Sequence, residues 1–211
     1  MAKLLTEFIG TFFLVLSVCL SVATGSPMAP LAIGGTLMVM VYMGGHVSGA
    51  HYNPAVSLAV MVRGAISASE MVQYWVAQVV GGTVAAFVAR VIIDKAVPIH
   101  PGSGVSVTSA LLVEILYTFA LALVVLNTAT SKRAAGNPYF GLAIGFTVLA
   151  AAYAGGPISG GAFNPAVGVG PILVQSLAAK GSLGNAWLYI AGPCLGAIAA
   201  SRVFDMQEAD A

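Results

Sequence analysis

Charged residues in this chain occur as rare interruptions of apolar sequence. No Asp, Glu, Lys or Arg lies between Phe8 and Val62, and none between Ala134 and Ala179. One helix needs roughly 20 apolar residues to cross a bilayer, so each run must hold more than one span. Breaking the chain at Gly, Pro and charge clusters predicts six spanning helices, at about 4–24, 29–45, 69–93, 107–129, 137–155 and 184–204. Two apolar segments remain, about 54–63 and 165–177; at about 1.5 Å per residue each reaches only about 15 to 20 Å, too short to span. Small residues recur at steps of four in span three (Ala77, Gly81, Ala85, Ala89) and span six (Gly192, Gly196, Ala200), a stripe that lets helix backbones approach closely. Tyr74, Trp75, Tyr139, Trp187 and Tyr189 fall near span ends, where amphipathic rings favour the membrane interface.

The pattern occurs twice. Leu5-Thr6-Glu7 with Phe12 matches Leu112-Val113-Glu114 with Phe119 at an offset of 107, and Asn53-Pro54-Ala55 matches Asn164-Pro165-Ala166 at 111. Tyr74-Trp75-Val76-Ala77 with Gly82 matches Leu188-Tyr189-Ile190-Ala191 with Gly196 at 114. The chain therefore reads as one transmembrane domain, 1–211, with an internal repeat of 1–98 and 104–211. Three spans per half is an odd number, so the second half enters the membrane from the opposite side, giving an all-α inverted repeat of six spans and two re-entrant half-helices.

Composition agrees: 59% of residues are hydrophobic and 7% charged, against about 25% charged in a soluble domain. The solvent is a lipid bilayer. A net charge of +1 offers no basic surface for nucleic acid. Cys19 and Cys194 lie in apolar stretches and read as small buried hydrophobes. The apolar stretch after Lys3 is too long for a signal-peptide core and reads as a retained first helix. With the N-terminus inside, Lys3, Arg63, Lys132, Arg133 and Arg202 are cytoplasmic and Arg90, Lys95 and Lys180 are not, which favours this orientation.

The candidate chemistry sits at the two Asn-Pro-Ala motifs. Asn is a favoured helix N-cap, and Pro suits the first helical position because its missing N–H would be unpaired there. Each motif therefore starts a half-helix. Dipping in from opposite faces, the two would meet near mid-membrane with both positive dipole ends at one spot. The irregular backbone leading in, 45–52 and 155–163, must line a wet cavity or be covered by protein. A capping Asn spends its oxygen on its own helix and leaves its NH₂ free, so a water at the junction would accept from both sides and relay no proton. Glu7 and Glu114 are costly inside apolar spans; their symmetry suits a repeated structural task. His46 reads as a satisfied packing histidine, and His51, beside Asn53, as part of a pore wall. No metal spacing, nucleophile triad or phosphate loop occurs, and neither an enzyme activity nor a cofactor is expected. An ion-coupled secondary transporter is the alternative that shares inverted repeats and broken helices.

The stretches Gly45-His46-Val47-Ser48-Gly49-Ala50-His51-Tyr52-Asn53-Pro54-Ala55-Val56 and Ser159-Gly160-Gly161-Ala162-Phe163-Asn164-Pro165-Ala166 resemble the two loop motifs of the aquaporin (major intrinsic protein) family. The resemblance covers nearly the whole chain. It implies a passive channel conducting water and small neutral solutes while excluding ions, assembled as a homotetramer. It further implies that Asn53 and Asn164 donate to a passing molecule and that Gly49, Ala50, His51, Gly160, Gly161 and Ala162 offer carbonyls. In that family the glutamates matching Glu7 and Glu114 brace the two loops. The host membrane is expected to be the cell membrane rather than an organelle.

One departure stands out. Family members often carry Arg three positions after the second Asn, where this chain has Val167. By distance from the motifs, the other filter positions fall on Ile33, Ala152 and Gly161. All four are uncharged, which predicts a wider, less polar constriction than a strict water filter. The glycerol branch is not matched either, since its Asp and basic positions hold Gly168 and Ile172. The second loop with Val167 looks closer to the plant vacuolar subgroup.

Overall fold

The structure, a computed structural model, describes residues 1–97, 99–179 and 182–209. Lys180, used above for orientation, and Pro98, 210 and 211, at the limits of the two repeats, lie outside the described residues. Among the described residues eight α-helices follow in order: α1 (Ala2–Ala23), α2 (Ala29–Ser48), α3 (Pro54–Val62), α4 (Ala68–Ile93), α5 (Val107–Val125), α6 (Phe140–Ser159), α7 (Pro165–Ala179) and α8 (Leu188–Ala209). The fourth predicted span continues past α5 through a π-helical turn, Leu126–Thr130. Polar side chains set several helix starts. Ser67 Oγ accepts from Glu70 N to cap α4, and Ser106 Oγ accepts from Ser109 N to cap α5.

Among the described residues five helices are long and apolar enough to cross a membrane: α1, α2, α4, α5 with its π turn, and α6. The sixth, α8, has 22 residues but carries Arg202, Asp205 and Glu208 in its last turns, and it begins at Leu188 rather than near 184. On α4, Val72, Val76, Val80, Phe87 and Val91 are exposed, an apolar face that only lipid or another protein surface would suit. The chain is an all-α integral membrane protein of six spans and two half-helices.

α1 packs along α4, α5 along α8, and α2 against α6, while α3 and α7 lie inside against α4 and α8. The small-residue stripes make the first two contacts possible. A Cβ at Gly81 would lie 2.6 Å from Phe8 O, and one at Gly196 would overlap Ile115 O. These contacts pair Gly81 with Gly196, an offset of 115, so the alignment of span three with span six read from sequence is one residue out. Tyr74 and Tyr189 agree, since each hydroxyl donates to the carbonyl ending the helix before a half-helix, Ser48 O at 2.8 Å and Ser159 O at 2.6 Å.

Those two tyrosines also correct the interfacial assignment. Both are buried, and Trp75 donates to Pro54 O at 2.8 Å, so all three tie loops and half-helices inside the bundle. Tyr139 and Trp187 remain about half exposed at helix ends. The irregular segments are also shorter than predicted. α2 and α6 run on to Ser48 and Ser159 and stop at left-handed Gly49 (φ 87°) and Gly160 (φ 94°), a glycine stop that any side chain would strain. Only four residues then separate each helix from its half-helix motif.

Candidate functional site

Each four-residue loop doubles back on itself through left-handed backbone. Ala50 (φ 52°) and Tyr52 (φ 48°) in the first loop correspond to Gly161 (φ 67°) and Phe163 (φ 49°) in the second. Three of these four are not glycine, and each costs about 1 to 2 kcal/mol, persisting only where its surroundings hold it. Two buried glutamates accept from the N–H groups of these loops. Glu7 Oε1 accepts from Ser48 Oγ (2.6 Å) and His51 N (3.0 Å), and Oε2 from Tyr52 N (2.7 Å) and Gln78 Nε2 (2.8 Å). Glu114 Oε1 accepts from Ser159 Oγ (2.7 Å) and Ala162 N (3.0 Å), and Oε2 from Phe163 N (2.7 Å). Both carboxylates are fully buried, so these donors replace the water each lost.

With the N–H groups turned outward to the glutamates, the carbonyls turn the other way. Tyr52 O accepts from Asn164 Nδ2 at 2.8 Å and Phe163 O from Asn53 Nδ2 at 2.9 Å. None of the carbonyl oxygens of residues 49–51 and 160–162 accepts a hydrogen bond from a described residue. Asn53 Oδ1 caps α3 through Ala55 N, and Asn164 Oδ1 caps α7 through Ala166 N, both at 2.9 Å. The two half-helices are thus locked tip to tip by a reciprocal pair of amide bonds. This amends the expectation that each NH₂ is free: one hydrogen of each amide is committed to the opposite loop, leaving one.

The asparagines line a narrow cavity of about 30 Å³, room for one or two waters, together with Ala50, His51, Gly161, Ala162 and Val167. Aliphatic side chains from α1, α2, α5 and α6 complete its wall. Pro54 and Pro165 face away, into a separate apolar cavity of about 200 Å³ shared with Trp75, Ile190 and Cys194. Ala55 and Ala166 are fully buried in neither.

Above the narrow cavity, on the side of Lys95 and His100, opens a vestibule of about 570 Å³. Ile33 and Gly161 line both spaces, Ala152 only the vestibule and Val167 only the narrow cavity, so these four residues surround the junction between the two. On the opposite face a second vestibule of about 330 Å³ is lined by Gly45, His46, Gly49, Phe140 and the segment around Ser131. His46 is exposed there with no hydrogen bond from a described residue, not packed as expected, because Gly45 and Gly49 beside it leave the helix end open.

Several residues hold the loops although the sequence pattern assigns them no such role. Ser48 and Ser159, Tyr74 and Tyr189, and Gln78 all hold the loops. The matching Ser-Gly pairs, Ser48-Gly49 and Ser159-Gly160, were a usable signal for the first. Gln78 and Ser57 had none. Gln78 Nε2 also donates to Ser57 Oγ at 3.0 Å, which in turn lies 3.0 Å from His51 Nδ1, a polar chain present in the first half alone among the described residues.

Two capped half-helices meeting tip to tip at a narrow cavity that adjoins a vestibule, within a six-span bundle, have the architecture of a membrane channel. The profile described as Major intrinsic protein matches residues 1–204. Aquaporin NIP1-1 of Zea mays is 36% identical over 215 residues, covering 97% of this chain and 74% of that protein. Aquaporin NIP1-2 of Arabidopsis thaliana is 34% identical over 222 residues, covering 97% and 73%. The aquaglyceroporin structure from Plasmodium falciparum superimposes with a TM-score of 0.85 at 21% identity, covering 97% of this chain and 95% of that one. The chain belongs to the major intrinsic protein family, whose members are channels and not enzymes. The relatives named here are NIP-type, so the likeness to the vacuolar subgroup drawn from the second loop and Val167 does not describe them.

Proposed function

We propose that this channel conducts water and small uncharged solutes, such as urea, glycerol, ammonia or hydrogen peroxide, in single file past Asn53 and Asn164, and blocks ions. The observation that carries the reading is the reciprocal Asn–carbonyl pair at the half-helix tips, which leaves one amide hydrogen of each Asn for a passing molecule. The six carbonyls of 49–51 and 160–162 supply acceptors along the same path. Charge is opposed by the two helix N-termini aimed at one point. Ile33, Ala152, Gly161 and Val167 act as the outer filter, and Glu7 and Glu114 brace the loops. Bracing suits the glutamates better than ion coupling, because all four of their oxygens already accept bonds from the loops, Ser48 or Ser159, or Gln78.

The chain acts as one channel domain of two related halves, 1–98 and 104–211, and assembles as a homotetramer with one pore per subunit; crosslinking in the membrane checks the assembly. A tagged chain is expected in the cell membrane rather than an organelle, which microscopy checks. Stopped-flow light scattering of proteoliposomes tests the transport itself. Fast shrinkage in an impermeant osmolyte shows water flux, and re-swelling in urea or glycerol gradients shows a wider selectivity. Liposomes no faster than empty ones would sink the reading.

A further inference from the structure

The repeat that relates the two Asn-Pro-Ala motifs also relates two rings of side chains. Shifted by 111, the outer filter position Ile33 corresponds to Ile144, and Val167 to Val56; these pairs are identical in residue type. Gly161 corresponds to Ala50, and Ala152 to Val41, and at both the second ring is the bulkier. All four members of this second ring are buried. Ala50, Val56 and Ile144 line the same narrow cavity as Ile33, Gly161 and Val167, and the inverted repeat puts them toward its other end. Val41 stands one helical turn beyond Leu37 on the face of α2 that Ile33 and Leu37 turn to the cavity.

The two vestibules treat the rings differently. The one of about 570 Å³ reaches Ile33, Ala152 and Gly161. The one of about 330 Å³ on the other side reaches none of Val41, Ala50, Val56 and Ile144. We infer that the size limit of this pore lies at the inner ring of Val41, Ala50, Val56 and Ile144, rather than at the outer filter. A solute that clears the small-residue outer filter meets the related aliphatic positions again, with more methyl groups and outside the lining of the second vestibule. This rests on the channel reading above.

The repeat supplies matched variants for the test. Val56→Ala and Val167→Ala make the same change at related positions. Ala50→Gly widens the inner ring further, and because Ala50 sits at φ 52° the glycine relieves strain, so this variant is expected to fold. Proteoliposomes of each are compared for glycerol and water permeability. The expected result is a glycerol-to-water ratio raised about threefold or more by Val56→Ala and by Ala50→Gly, and raised less by Val167→Ala. An equal or larger gain from Val167→Ala, or none from either inner variant, overturns the inference. Wild-type protein that passes no water overturns the channel reading itself, and this one with it.

Discussion

Glu7 and Glu114 illustrate what a buried carboxylate does when most of the donors around it come from one loop and the helix end before it. Each holds two successive backbone N–H groups and one serine hydroxyl, and this fixes three left-handed residues that would otherwise relax. Replacing Glu by Gln swaps one acceptor oxygen for an NH₂ facing a donor, leaving a buried loop N–H unpaired. Such a loss costs about 1 to 3 kcal/mol. Glu114→Gln is therefore expected to lower the melting temperature in detergent and reduce water permeability. Glu7→Gln should do more damage, since Glu7 accepts four bonds where Glu114 accepts three. Equal melting temperatures for wild type and both variants would rule out bracing. The glutamates were legible in the sequence, because two carboxylates at matching places in apolar spans demand a reason. Gln78 was not, since a lone amide on a helix reads as one more polar residue until its partners are in place.

At the scale of elements, the bundle depends on where glycine allows backbones to touch. Gly196 on α8 meets Ile115 O and Phe119 N on α5, so a methyl group there must push the helices apart. Overpacking of this kind costs about 1 to 3 kcal/mol. Gly35, inside α2, has open space where its Cβ would be, and alanine there should add up to about 1 kcal/mol by helix propensity alone. Thermal unfolding in detergent is expected to rank Gly35→Ala at or above wild type and Gly196→Ala below it. The stripe was visible at four-residue steps, but the residue that each glycine touches was not. The one-residue error in matching span three to span six arose because apolar helices tolerate either register in sequence, and only the carbonyl contacts distinguish them.

For the whole molecule, the ion barrier is the property that Val167 puts to the test. Without a filter cation, the remaining barrier is the desolvated passage and the two half-helix N-termini converging on Asn53 and Asn164. A planar bilayer holding the wild-type protein is expected to carry no measurable proton or ammonium current; a clear current would show that the dipoles are insufficient. Mercury makes a second whole-channel test. By the family resemblance, Gly161 stands where mercury-sensitive members carry Cys; Cys194 adjoins the cavity behind the prolines, away from the narrow cavity. Water flux should therefore persist in mercury, and strong inhibition surviving removal of both Cys19 and Cys194 would contradict the assignment of the passage.

The sequence by itself determined the membrane class, the six spans, the two half-helices and their Asn caps. These follow from hydrophobic length and local capping chemistry, which act within a few residues. It also determined which residues stand where the family's filter is found. Tertiary structure alone decided that each Asn gives one hydrogen to the opposite loop, that Tyr74, Trp75 and Tyr189 face inward, and that His46 stands open in a vestibule. It also placed Pro54 and Pro165 behind the passage. The physical reason is that these are contacts between residues 21 to 112 positions apart, and their partners are chosen by packing and by the pairing of buried donors with acceptors. The paired Asn-Pro-Ala motifs announce the passage; the bundle around them decides its width.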